Sequence, residues 1–275
     1  MIFAKKSLGQ NFLKDINIIE KIVTAGDIQE SDVVLEIGPG HGTLTAAILK
    51  NAKKVIAVEK DVQLCAELES TFSQEIESGK LELVCDDILD AVENGELEIG
   101  SSYKLMGNIP YNITGAIFWS FTQGLSESDL PTDITFVVQK EVAERIVAKD
   151  GKESILSISI KAYGEPKIYG IIKAGSFDPT PKVDSAILKI QGLSKERFEN
   201  NHVAESDFFE LIHKGFAHKR KQLLGNLKGH TSKFFASLEQ EHLKTKLEQL
   251  GHKQSVRAEE LAVSDWFYLV RNQTR

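Results

Sequence analysis

Between residues 33 and 190, short apolar runs alternate with longer stretches whose apolar positions repeat at helical spacing. Val33–Ile37, Val55–Glu59, Leu81–Val84, Tyr103–Gly107, Ile134–Val138 and Ala186–Ile190 read as strands. After the second run, Val62, Cys65, Leu68 and Phe72 recur at spacings of three, three and four, which places them on one face of a helix. Strands alternating with helices predict an α/β fold with a doubly wound parallel sheet and crossover helices. Beyond Gly192 the strand signal stops, and Phe209, Ile212, Phe216, Leu223 and Leu227 predict helices joined by short loops. The expected division is an α/β domain with an N-terminal arm over residues 1–193 and a small helical domain over 194–275.

A chain of 275 residues, 41% hydrophobic and 27% charged, can bury a full core. The opening MIFAKKSLGQNFLKD holds no apolar stretch of signal-peptide length, and no run approaches the roughly 18 apolar residues of a membrane span. A cytoplasmic protein without a membrane partner is expected. The two cysteines, Cys65 and Cys85, lack metal-ligand spacing and read as buried free thiols, so no metal is expected. A net charge of −7 speaks at first against nucleic acid, but the charge is uneven, −10 over residues 1–193 and +3 over 194–275. The basic part carries His218-Lys219-Arg220-Lys221, a candidate phosphate-binding cluster that is otherwise a solvated face.

The segment Val33-Val34-Leu35-Glu36-Ile37-Gly38-Pro39-Gly40-His41-Gly42 is a strand running into three alternate glycines and then a helical run from Thr43. Such a turn lets the backbone approach a ligand at the carboxyl end of a strand. Dinucleotides and methyl donors both use one. Here the spacing is G-x-G-x-G, and Glu36 precedes the first glycine, where a carboxylate would repel a pyrophosphate but favour a cationic sulfonium and ammonium. Glu59, about twenty residues on at the end of the second strand, can accept from both ribose hydroxyls. After the third strand, Asp86 or Asp87 can accept from an adenine amine, or can simply be a solvated turn.

The fourth strand ends in Asn108-Ile109-Pro110-Tyr111. As composition this is a turn. Beside a cofactor loop it is also a side-chain carbonyl, adjacent backbone carbonyls and a flat ring, which together describe a pocket for an unstacked base.

These segments, with Ser7-Leu8-Gly9-Gln10-Asn11-Phe12-Leu13, Gln139-Lys140-Glu141 and Phe177-Asp178-Pro179-Thr180-Pro181-Lys182-Val183-Asp184-Ser185-Ala186, resemble the KsgA/Dim1 family of ribosomal RNA adenine dimethyltransferases, relatives of the Erm methylases and the mitochondrial transcription factor B proteins. The resemblance spans residues 5 to about 227. It departs at Lys152-Glu153-Ser154-Ile155-Leu156-Ser157, where the family usually has a Tyr-Gly-Arg-Leu-Ser-like stretch.

The resemblance implies a Rossmann-like, seven-stranded methyltransferase sheet with a small C-terminal helical domain. It implies S-adenosyl-L-methionine as cofactor, with Asn11 and Leu13 closing over it, Gly38 and Gly40 near its methionine part beside Glu36, Glu59 on the ribose and Asp87 on the adenine. Asn108, Ile109 and Pro110 would hold the target amine, Tyr111 would stack on the flipped adenosine and Phe177 would cover its other face. Lys219, Arg220 and Lys221 would touch 16S ribosomal RNA in an assembling small subunit, and a monomer is expected. An Erm-type enzyme acting on large-subunit RNA, a non-catalytic binding protein on the same fold and, on the glycine loop alone, an NAD dehydrogenase are the alternative readings.

Overall fold

The computed structural model describes Lys5 and residues 9–95, 97, 99–110, 113–149, 151–228 and 240–271. Two compact units form: residues 1–144 with 165–193, and residues 145–164 with 194–275. The helical unit thus includes a segment, 145–164, that lies inside the first domain of the sequence reading. The strand pattern pauses there without a composition shift to mark a boundary.

Among its described residues the first unit holds nine strands: β1 (Phe12–Leu13), β2 (Val33–Ile37), β3 (Lys54–Val58), β4 (Leu81–Val84), β5 (Tyr103–Asn108), β6 (Asp133–Gln139), β7 (Glu165–Ile172), β8 (Phe177–Asp178) and β9 (Ser185–Gln191). Seven of them form one sheet in the order β4-β3-β2-β5-β6-β9-β7, and β1 pairs with β8 in a separate ribbon. The sheet is parallel except at one strand: β9 pairs antiparallel with both β6 and β7, so it alone runs against the others. Parallel strands need a crossover of a dozen or more residues, usually a helix. Only a short 3-10 turn and β8 lie between β7 and β9, so the chain doubles back. The sequence pattern also passes over β7 itself, because Pro166 and Gly170 weaken its strand signal. It is an edge strand, with Tyr169 and Ile171 exposed.

Helix α1 (Ile16–Gly26) starts at Asp15, whose side chain accepts from Asn17 N, and buries Ile19, Ile22, Ala25 and Gly26. Gly26 packs closely on β5, and a Cβ there would have to displace the Met106 side-chain end 2.8 Å away. Each of these buried isoleucines contributes about 1.5–3 kcal/mol. Helices α2 (Thr43–Leu49) and α3 (Val62–Thr71) follow β2 and β3, and their Leu44, Ile48 and Leu68 join the same core cluster as Ile19 and Ile22 of α1. Three of the four residues predicted for one face of α3, Cys65, Leu68 and Phe72, are buried, but Val62 is 76% exposed, because it begins the helix where Asp61 is the cap. Cys65 and Cys85 are not free thiols but a disulfide joining α3 to the end of β4, and Cys85 is exposed. Spacing along the chain carries no trace of this pairing, which arises because β3 and β4 are neighbours in the sheet.

The chain runs outward from β2 to β3 to β4, then returns to place β5 on the other side of β2. Open α/β sheets bind ligands at such a reversal, in the crevice beyond the carboxyl ends of the strands. Gly107 lets β5 approach here, since a Cβ would fall 2.5 Å from the Ile37 carbonyl oxygen.

The second unit packs around aromatic rings. Phe208 stacks on Phe267 with centroids 4.3 Å apart, Phe198 meets both edge-on, and Phe216 stacks on Trp266. The departing segment 152–157 starts a helix here: Ser154 and Ser157 form a reciprocal cap, and buried Glu153 accepts from Ser157 Oγ and from Lys161 Nζ, both at 2.6 Å.

Candidate cofactor and base site

A cavity of about 200 Å³ opens at the reversal point, walled by the ends of β2, β3 and β5, by the turn after β4 and by the arm before β1. Of the residues selected from sequence, Asn11, Gly38, Gly40, Glu59, Asp87, Asn108, Ile109 and Pro110 line it. Gly38 adopts φ +66°, and a Cβ there would meet no atom within 4 Å, so its glycine serves the turn and leaves open space beside the backbone.

Glu59 is buried, with Oε2 accepting from Gly40 N at 3.1 Å and Oε1 from Asp61 N at 2.8 Å. Burial pushes its carboxyl above the usual range, and these N–H groups oppose the shift. They fix the carboxylate and leave unused lone pairs for a ligand hydroxyl.

Asp87 caps helix α4 (Ile88–Glu93), with Oδ1 accepting from Leu89 N at 2.8 Å and Oδ2 from Lys60 Nζ at 2.5 Å. Burial raises its carboxyl, but Lys60 and the cap N–H prevail and hold it below the usual carboxylate range. Asp86 also lines the cavity and accepts from Asp87 N.

Glu36 sits behind the glycine turn, at the wall of a second void of about 30 Å³ shared with Asn108 and His41. It is fully buried, neither carboxylate oxygen has a hydrogen-bond partner, and burial pushes its pKa up to about 8. The group is therefore mainly protonated at neutral pH. Glu36 carries its charge only once a cation lies next to it.

Asn108 ends β5 and donates from Nδ2 to Asn11 O at 2.7 Å, tethering the arm and leaving Oδ1 as an acceptor. Pro110 O accepts from Ile113 N at 3.3 Å, which leaves Ile109 O as the neighbouring backbone acceptor. Tyr111 lies outside the described residues.

Leu13 and Phe177 do not reach the cavity. They are cross-strand partners in the β1–β8 ribbon, both inside the core cluster, with Phe177 fully buried. Phe177, expected to cover the second face of the flipped adenosine, is packed in the core cluster beside the arm. Apolar type alone did not separate these roles.

Sequence reasoning missed Gln10, Phe12, Lys60 and Asp61. The signal for Asp61 was an N-cap residue directly before a helical run, two residues after Glu59. Phe12 lies against the turn, its ring 4.4 Å from that of His41 and under Gly40, where a Cβ would meet it at 2.9 Å.

In the second unit, residues 217–222 form an exposed turn, and Lys219, Arg220 and Lys221 make no ion pair among the described residues. Asn226 holds this turn, donating to Gly215 O at 2.6 Å and His218 O at 3.1 Å. Among the described residues no His, Cys, Asp or Glu group could hold a metal, and no helix is long and apolar enough to cross a membrane.

A seven-stranded sheet with one reversed strand, a glycine turn after β2 and acids after β3 and β4 define a Rossmann-like methyltransferase. The chain belongs to the ribosomal RNA adenine dimethylase family, whose profile matches residues 2–264. It is 40% identical over 224 residues to ribosomal RNA small subunit methyltransferase A of Dehalococcoides mccartyi, covering 82% of this chain and 74% of the relative. The crystal structure of a dimethyladenosine transferase from Plasmodium falciparum superposes with a TM-score of 0.73 at 27% identity, over 94% of this chain and 95% of that one. The 23S rRNA methyltransferase ErmE has the same fold, with a TM-score of 0.73 at 23% identity over 94% of this chain and 98% of that one.

Proposed function

We propose that this protein uses S-adenosyl-L-methionine to methylate the N6 amine of adenosines in 16S ribosomal RNA, dimethylating two adjacent adenosines while the small subunit assembles. The observation that carries this reading is the convergence of Glu59, Asp87 and Asn108 on one cavity at the reversal point of the sheet. Glu59 would hold the ribose hydroxyls, Asp87 the adenine amine, and Gly38 and Gly40 the methionine part. Asn11 would close over them, with Leu13 anchoring the arm. The orphaned carboxyl of Glu36 fits a cationic ligand, since an ammonium beside it would supply the missing donor. The bound cofactor supplies an electrophilic methyl group.

Adenine N6 is a poor nucleophile because its lone pair is delocalised into the ring. Asn108 Oδ1 and Ile109 O would accept its two N–H groups and favour a pyramidal nitrogen with the lone pair directed at the methyl. Positioning supplies most of the rate. The alkylated amine is acidic, so its proton needs no strong base.

Tyr111 is assigned to stack on the extruded base, which contributes about 1–3 kcal/mol, so Tyr111→Ala is expected to cut transfer about tenfold or more. Tyr111→Phe should keep most activity, and both variants should bind cofactor normally by calorimetry. A Phe variant as inactive as Ala would assign the role to the hydroxyl instead.

The helical domain is proposed to contact RNA phosphates, as a monomer in the cytoplasm. Changing Lys219, Arg220 and Lys221 together to Gln should lower the salt slope of RNA binding by about 2–3. Titrations at several salt concentrations read this directly, and an unmoved slope returns the turn to a solvated face.

The reading as a whole is tested by giving labelled S-adenosyl-L-methionine to unmethylated small subunits and, separately, to naked large-subunit RNA. Label in the small subunit alone supports it. Label in large-subunit RNA alone favours the Erm-type alternative.

A further inference from the structure

The carboxylate of Asp61 is buried, with no exposed side-chain surface, yet it does more than cap α3. Its Oδ1 accepts from Gln63 N at 3.1 Å and from Lys5 Nζ at 2.7 Å, and its Oδ2 accepts from Gln10 Nε2 at 3.2 Å. Gln10 in turn accepts from Lys5 N at 2.7 Å, so the two arm residues bind each other as well as the acid. The Asp61 N–H donates to Glu59 Oε1 at 2.8 Å. One residue thus joins the arm to the acid assigned to the ribose. Farther along, the arm is held by Asn108 Nδ2 on Asn11 O and by pairing of β1 with β8. Between these fixed ends, Gly9, Gln10, Asn11 and Phe12 form one wall of the cavity.

We propose that Asp61 is a positioning residue whose clasp on Lys5 and Gln10 keeps the N-terminal arm closed over the cofactor and sets how long the cofactor stays bound. The inference rests on the reading of this cavity as the cofactor site. Lys5 does not line the cavity, so its effect on the cofactor passes through the arm. Its side chain is 41% exposed at the Asp61 contact, so the clasp is open to screening by salt while the buried carboxylate stays fixed. Opening the clasp breaks a charge-assisted hydrogen bond and leaves a buried carboxylate short of donors. Release of cofactor is the step that must wait for this, whereas Asn108 is placed first by its own strand, β5.

The test uses the full chain and S-adenosyl-L-methionine, with dissociation followed by chase of bound labelled cofactor from wild type, Lys5→Ala and Lys5→Arg. Lys5→Ala is expected to release cofactor about tenfold faster, the effect of losing one hydrogen bond to a charged group, and Lys5→Arg to recover most of the difference. The KM for cofactor should rise in parallel while kcat at saturating cofactor stays within about twofold. Added salt should speed release from wild type and leave Lys5→Ala nearly unchanged. In cofactor-free protein, amide exchange over residues 9–13 should quicken in Lys5→Ala. Equal release rates in wild type and Lys5→Ala, or equal exchange over the arm, overturn the clasp. Wild-type protein that binds no cofactor overturns the cofactor reading and the clasp with it.

Discussion

Asn108→Ala is expected to lower methyl transfer to unmethylated small subunits about 10²–10³-fold, the scale of losing a preorganised group at a reacting centre. Two effects combine. The substitution removes Oδ1, the side-chain acceptor assigned to the target amine, and it removes the Nδ2 donor that holds Asn11 O at 2.7 Å. The KM for cofactor should therefore rise with the fall in kcat, unlike Tyr111→Ala, which acts on the base alone. Steady-state kinetics in both substrates separate the two. A variant with wild-type kcat would remove Asn108 from the reacting centre.

The second large effect is expected at Glu59. Glu59→Gln should weaken S-adenosyl-L-methionine binding about 10–10²-fold, the equivalent of about 1.5–3 kcal/mol for a hydrogen bond to a charged acceptor. The structure adds a reason beyond lost charge. Gly40 N and Asp61 N both donate into this carboxylate, and an amide would turn its own N–H₂ toward one of them. Because burial holds the Glu59 carboxyl above the usual range, wild-type affinity should fall as pH drops through that raised value, as the acceptor gains a proton. The Gln variant has no such group to titrate and should not follow this pH dependence. Calorimetry across mildly acidic pH measures both effects, and equal affinities at neutral pH would remove Glu59 from the site.

Much of this protein is determined locally and is legible in its sequence. Strands β2, β3, β5, β6 and β9 appear as apolar runs because strands largely buried on both faces leave little polar alternation, while β4, at the sheet edge, keeps Glu82. The turn from Gly38 to Gly42 appears because only glycine adopts its left-handed backbone without strain, and Gly42 sits at φ +76° where a Cβ would strike Phe72 at 2.4 Å. Strand ends mark where ligands bind, so Glu59, Asp87 and Asn108 could be selected by position and chemistry together.

Other features depend on which elements become neighbours, and one residue's type cannot express that. The reversal of β9, the edge position of β7 and the Cys65–Cys85 bond follow from strand order. Leu13 and Phe177 carry no mark in the sequence of their place in the core cluster, which comes from the antiparallel pairing of β1 with β8. Glu36 was legible as an acid beside a cofactor loop. Its raised pKa was not, because that depends on complete burial in the folded chain, which outweighs the nearby Thr45 hydroxyl. Asp61 shows the same limit from the other side. Its place before α3 predicts a helix cap, while its contacts with Lys5 and Gln10, 56 and 51 residues away, exist only because the arm crosses the end of β3 in the folded chain.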